Sequence, residues 1–279
     1  MIAPEFIMVV VFCGLFGVLI GSFLNVVVYR LPQGMSLSRP ASACPKCGSS
    51  IRAYDNIPVL SWLMLRGKCR DCRAGVSARY PLVELGTAAF FVVVGLFFAG
   101  SIAATQPGHV AIAHGVSLVA FLYLGAISVA LAIIDIETHT LPNRIVLPAY
   151  IVGAALLLAS SILSGDFAPL LRAGIGLAAL WAVYALMRIV YPKGMGFGDV
   201  KLAGVIGMYL GWSGWGALVV GSFAAFVLGG LFGIGVILIR RGTRKTAIPF
   251  GPWMLLGAWI GILFGSRITA GYLALFGLI

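Results

Sequence analysis

Residues 191–201 read YPKGMGFGDVK, a short polar island between two apolar stretches. Residues 173–190 carry a single charge, Arg188, and residues 202–239 carry none. A bilayer-spanning helix needs about 20 mostly apolar residues, so both stretches read as membrane helices and the island as the loop between them. Asp199 then sits at the edge of a span, where an ionisable group is costly to desolvate and marks a functional site by default. Gly194, Gly196 and Gly198 allow the backbone conformations closed to other residues. Two readings stand side by side: a turn whose acid caps the next helix, or a polar site built around Asp199. A second acid, Asp135, directly follows the apolar run 126–134 (AISVALAII) and favours the site.

Outward from this island, the composition is that of a membrane protein. Of 279 residues, 61% are hydrophobic and 10% charged, with a mean hydropathy of +1.07. No soluble core needs so much apolar sequence. The expected fold is an all-α polytopic membrane protein with about eight transmembrane helices, near 6–29, 82–100, 112–134, 146–164, 173–190, 201–217, 220–239 and 249–266. The run from Phe6 to Val28 lacks a basic n-region and reads as an uncleaved first helix rather than a signal peptide. Glycines at 204, 207, 211 and 214, and again at 229, 230, 233 and 235, read as close-packing positions between helices. No internal repeat is apparent.

The formal charge of +11 is distributed by topology rather than as a nucleic-acid-binding surface. Nine of the 19 basic residues lie between Arg30 and Arg79. The others cluster in alternate loops, at Arg144, at Arg188, Lys193 and Lys201, and at Arg240, Arg241, Arg244 and Lys245, whereas the intervening loops hold only Arg172 and Arg267. The positive-inside rule therefore places the N-terminus outside and residues 30–81 in the cytoplasm, with Asp135 and Asp199 at the cytoplasmic edge. The basic side also suits anionic lipid headgroups.

Three parts follow: a first membrane helix within 1–32, a hydrophilic insert at 33–81, and a multi-span domain from 82 to 279. In the insert, Cys44-Pro-Lys-Cys47 and Cys69-Arg-Asp-Cys72 are separated by 21 residues. That spacing approaches a tetracysteine zinc site, in which four thiolates complete a tetrahedron. Two disulfides are the competing reading, disfavoured by a reducing cytoplasm. Four cysteines leave no open position on the metal, so the zinc reads as structural. The apolar stretch DNIPVLSWLML between the pairs is either a small core or a face resting on the membrane. Cys13 reads as a small buried residue, and Ser22 and Asn25 as helix-packing polar groups. Glu84 reads as a helix cap, an ion-pair partner or a member of a polar site, with the first two favoured.

Two carboxylates in one poorly solvated place cannot both ionise cheaply, so one activates water while its protonated neighbour polarises a carbonyl or protonates a leaving amine. No HExxH, GxSxG or P-loop competes with Asp135 and Asp199. The chain resembles the bacterial prepilin peptidases, or type IV leader peptidases, of the GxGD aspartyl protease class. The resemblance rests on GSFLNVVVYRLP at 21–32, CPKC at 44–47, DNIPVLSWL at 55–63, CRDC at 69–72, RYPLVE at 79–84, IDIETHTLPN at 134–143 and GFGDVK at 196–201. It implies that Asp135, which opens D-x5-LP, and Asp199, which closes GxGD, are the catalytic pair, with Gly196, Gly198 and Lys201 as motif support. It also implies cleavage of the basic leader from prepilins or pseudopilins at the cytoplasmic face of the inner membrane, followed by N-methylation with S-adenosylmethionine. Asn143 departs from the Asp expected after LP in many relatives. Residues alone leave two rival classes open, a proton-coupled or ion transporter with a regulatory zinc module and a membrane scaffold whose zinc module binds a partner.

Overall fold

The computed structural model describes residues 4–105, 108–192, 194–240 and 249–278. Lys193, Arg241, Arg244 and Lys245 lie outside these, as does the side chain of Arg240. Among the described residues there are nine α-helices and one 3-10 turn, with no strand. The chain divides into two compact units, residues 1–105 and 106–279.

The first unit holds α1 (Pro4–Arg30), the short α2 (Leu60–Met64) and α3 (Arg79–Ala104). Both long helices are apolar on every side, as a bilayer demands, so small residues rather than an amphipathic stripe decide where they meet. A Cβ on Gly17 would lie 2.7 Å from Ala88 Cα, and one on Gly21 would lie 2.7 Å from Glu84 Cα. Cys13, fully buried, packs against Gly95 in the same antiparallel seam. Asn25 Nδ2 closes the end of the seam next to the cysteine insert by donating to the Tyr80 carbonyl at 3.1 Å. Cys13 and Asn25 therefore take the packing roles expected of them.

Glu84 neither caps α3 nor forms an ion pair with any described residue. Its Oε2 accepts the backbone N–H of Val59 at 2.7 Å, and the residue is 7% exposed. Val59 has φ 60 and ψ −53, with Leu60 N–H reaching the Pro58 carbonyl at 2.6 Å, which is a γ-turn of the rare strained kind. For a β-branched residue that conformation costs about 1–3 kcal/mol. A hydrogen bond to a carboxylate contributes about 1.5–3 kcal/mol, enough to hold the turn in place.

The second unit is arranged around α7. Its helices are α4 (His109–Thr138), α5 (Asn143–Ser164), α6 (Ala168–Val190), α7 (Phe197–Ser213), α8 (Trp215–Arg240) and α9 (Gly251–Leu275). Every residue of α7 from Leu202 to Gly211 is buried, because α5, α6, α8 and α9 all pack on it. Gly207 lies against the Gly176 carbonyl and Gly211 against that of Arg172, so α6 and α7 touch backbone to backbone. The α8–α9 seam is built the same way, with Gly261 facing Gly221 and Gly265 facing Ala217. Gly230 and Gly235, read from sequence as packing positions, instead face open space, and Gly214, with φ 134, is the break between α7 and α8.

Among the described residues, seven helices are long and apolar enough to cross a membrane: α1, α3, α4, α5, α6, α8 and α9. The eighth expected span is α7, whose 17 residues reach only about 25 Å, short of the 30 Å or so of a hydrocarbon core. Being enclosed by other helices, it has no lipid thickness to match.

The Gly17 contact yields a direct test of the seam. Replacing Gly17 with Leu drives a side chain into the α3 backbone and lowers stability by about 1–3 kcal/mol or more. Gly86→Ala, where an added Cβ meets nothing within 4 Å, does not lower it, since alanine is the better helix former. Thermal unfolding of the two purified variants in detergent separates these outcomes.

Candidate functional site

Asp135 lies in the last turn of α4 and is 5% exposed. Its Oδ2 accepts the backbone N–H of Gly251, the first residue of α9, at 3.0 Å. The first N–H groups of a helix have no partner within it, so Asp135 satisfies an orphan donor of a helix 116 residues away. Gly251 permits this approach: a Cβ there would stand 2.7 Å from the same oxygen.

Asp199 is the third residue of α7, and its Oδ2 accepts the N–H of Gly196, the residue before the helix, at 3.1 Å. This reaching-back bond is the acidic half of a capping box, and it starts α7 at Phe197 rather than near residue 201. The capping reading and the site reading of Asp199 thus describe the same carboxylate. A Cβ at Gly196 would sit 2.9 Å from its Oδ2. Both acids therefore rest on helix N-termini, and both rely on a glycine beside the carboxylate.

Leu141 joins the two places. Its side chain would lie 3.0 Å from a Cβ on Gly198 and 3.2 Å from one on Gly251, so the residue before Asp199 and the donor to Asp135 flank one leucine. The two carboxyls are close enough to interact electrostatically. Pro142 then starts α5, and Asn143 Oδ1 accepts a hydrogen bond from Lys201 Nζ at 2.9 Å. Lys201 also lies 4.6 Å from the Phe197 ring centre, with Arg188 on that ring at 5.4 Å. Arg188 in turn donates to the Met195 carbonyl at 2.7 Å and ties the glycine-rich loop to α6. Tyr150 fixes the next turn by donating to the Lys201 carbonyl.

The sequence singles out Asp135, Asp199, Gly196, Gly198 and Lys201; Gly251, Leu141 and the partnership of Asn143 emerge only from the structure. In the sequence, Gly251 is visible only as part of IPFGPW, the opening of the last helix. Asn143, a departure from the expected Asp, is the acceptor for the lysine of GFGDVK.

The four insert cysteines also converge, their sulfurs all within 4.8 Å of one another. The two pairs are built alike: Cys44 N–H bonds the Ser49 carbonyl and Gly48 N–H the Cys44 carbonyl, while Cys69 N–H bonds the Ala74 carbonyl and Arg73 N–H the Cys69 carbonyl. Gly48 and Arg73 hold the matching left-handed positions, φ 71 and 58. This is a repeat hidden in the sequence, since little beyond CxxC is shared. Cys44 Sγ and Cys72 Sγ are 3.8 Å apart, the edge of about 3.8 Å that a tetrahedron with Zn–S bonds near 2.3 Å requires. The Cys47 and Lys46 amides pull the Cys44 thiol down to about 6. The Ala74 amide favours the Cys72 thiolate, yet desolvation and the neighbouring sulfurs outweigh it and push that thiol up to about 11. Four clustered thiolates repel one another, and a divalent cation relieves that repulsion.

A helical membrane protein with a tetracysteine module and a pair of aspartates held on helix N-termini is the class these features define. The chain matches the profile of the bacterial peptidase A24 N-terminal domain over residues 15–98 and that of the type IV leader peptidase family over residues 122–234. It is 38% identical to the prepilin leader peptidase/N-methyltransferase of Aeromonas salmonicida (strain A449), over 93% of this chain and 92% of that relative. The proteins of the same name from Aeromonas hydrophila, 38% identical, and Pseudomonas aeruginosa, 36% identical, align over 94% of this chain and 93% of their own lengths. No solved structure matches the chain. The chain belongs to the type IV leader peptidase family and is an enzyme.

The Lys201–Asn143 bond is measurable by itself. A double-mutant cycle with Lys201→Met and Asn143→Leu should return a coupling energy of about 0.5 kcal/mol, in the range for exposed charged pairs. Asn143→Asp, which makes the contact an ion pair, should retain or raise it. Zero coupling in thermal unfolding would show the contact to be incidental.

Proposed function

We propose that this chain is a membrane-embedded aspartyl endopeptidase that removes the basic leader of type IV prepilins or pseudopilins, and that it then N-methylates the new terminus. The observation that carries the reading is the pair itself: Asp135 and Asp199, supplied by helices far apart in sequence, are fixed by backbone amides, and Leu141 packs against both Gly198, the residue before Asp199, and Gly251, the donor to Asp135. The names of the relatives support the substrate class and the second activity. Cleavage takes place at the cytoplasmic edge of the inner membrane, as the bases at Arg144, Arg188 and Lys201 support through the positive-inside rule. The zinc insert is cytoplasmic by the same rule.

Each aspartate commits its Oδ2 to a structural hydrogen bond, so Oδ1 is the atom offered to chemistry. One ionised carboxylate takes a proton from water as the oxygen attacks the scissile carbonyl carbon. The other, protonated, gives its proton to the carbonyl oxygen or, as the C–N bond breaks, to the leaving amine. A leader rich in Lys and Arg stays among headgroups while the apolar segment following it stays in the bilayer. The scissile bond then falls at the depth where α4 ends and α7 begins.

Cys44, Cys47, Cys69 and Cys72 would hold one zinc ion, which supplies folding energy rather than chemistry because four thiolates complete its coordination. S-adenosylmethionine is the methyl donor this reading calls for, and no residue is assigned to it.

The test is cleavage of a prepilin by the parent, Asp135→Asn and Asp199→Asn proteins in liposomes, followed by mass spectrometry. Each variant should lose at least about 10²–10⁴ in rate, the usual range for general acid–base catalysis, while keeping the parent's melting temperature. Folded variants that still cut would overturn the assignment. A product heavier by one methyl group establishes the second activity. Metal analysis should find about one zinc per chain in the parent and a loss of zinc with a lower melting temperature in Cys44→Ser. Folded, active protein without zinc would sink the module's structural role.

A further inference from the structure

Helix α2 is inside out. Its polar residue Ser61 is 6% exposed, accepting the Ile57 N–H at 3.1 Å and donating to the Tyr54 carbonyl at 2.9 Å. Trp62 turns toward its own module as well, donating from Nε1 to the Val76 carbonyl at 3.0 Å. The apolar residues point away: Leu60 and Leu63 are 58% exposed, Met64 81%, and Ile57, in the turn before the helix, 47%. A helix on the surface of a water-soluble domain shows the opposite pattern, and contiguous exposed apolar surface marks a contact made with something else.

The fold fixes where this face lies. Val59, between Ile57 and Leu60, is bonded to Glu84, which stands five residues into the α3 span. At 1.5 Å per residue that is about 7 Å along the helix, so the turn entering α2 sits beside the first turns of a membrane helix rather than above its end. Leu82 and Leu85, on either side of Glu84, are 66% and 50% exposed on a segment apolar enough to cross the bilayer. On a helix that crosses the bilayer such exposed positions face lipid, and the Glu84–Val59 bond ties α2 to the same level. Arg66 and Lys68, both exposed, follow Met64 directly, which is the arrangement of an interfacial helix with cations for anionic headgroups.

We propose that α2 and its preceding turn are seated in the headgroup region of the bilayer that α3 spans, with Ile57, Leu60, Leu63 and Met64 against lipid. The Glu84–Val59 bond is the latch that sets their depth. The second cysteine pair begins five residues after Met64, so the metal module is held at the membrane surface and does not swing free of it. This proposal does not depend on the peptidase reading.

The experiment uses the full chain in nanodiscs of phosphatidylethanolamine and phosphatidylglycerol, with the photo-reactive residue benzoylphenylalanine replacing Leu60, Leu63, Met64 or, as a reference, the exposed Ser50. Each variant must keep the parent's melting temperature and elute as a single species. After illumination, intact-mass spectrometry should show lipid adducts at positions 60, 63 and 64 several-fold above those at 50. Adduct levels at the three α2 positions no higher than at position 50, or adducts formed with a second copy of the chain instead of lipid, would overturn the proposal.

Discussion

The close approach of α6 and α7, backbone against backbone at Gly176 and Gly207, is the constraint on which the second unit depends. Lipid tails are as apolar as leucine side chains, so no hydrophobic drive brings spans together inside a bilayer. Close packing of small residues does. Because α6 comes so near, α7 is sealed on all sides and tolerates being too short to cross the membrane alone. Its N-terminus, with Asp199, is thereby held at a fixed depth beside the ends of α4 and α9.

From that position the two carboxyls are held in place with little further machinery. Asp199 is anchored by a bond within its own helix cap, and Asp135 by a bond to the first amide of α9. The two anchors differ in kind. One is local and forms whenever α7 forms; the other exists only once α4 and α9 have docked. Gly251, with no side chain to obstruct the carboxylate, is the residue that makes the second anchor possible. The arrangement ties assembly of the acid pair to completion of the helix bundle.

The first unit solves a different problem. Its insert is too small to bury much surface, and its parts are joined by specific bonds instead. Arg70, inside the second cysteine pair, forms a bidentate contact with Asp55 at 2.6–3.0 Å, and that ion pair holds the Asp55 carboxyl below its ordinary range. Glu84 carries the strained turn at Val59. The cysteine cluster closes the remainder. Each of these bonds links residues distant in sequence, which suits a segment with no core of its own.

The membrane class, the long helices, the cysteine spacing and the two acids were all legible in the sequence, because each is written in local composition. A run of apolar residues is a span wherever it occurs, and Cys-x-x-Cys brings two sulfurs to one turn. The capping bond of Asp199 was legible too, since its partner is three residues away. What only the tertiary structure decided were the partners contributed from afar: Gly251 for Asp135, Asn143 for Lys201, Glu84 for Val59, and the glycines that pack rather than turn. Gly207 and Gly230 look alike in sequence, and one meets a helix while the other meets open space. The difference lies in which helices are neighbours, and in a bilayer no periodic pattern of hydrophobicity records that choice, because lipid and protein interior are equally apolar.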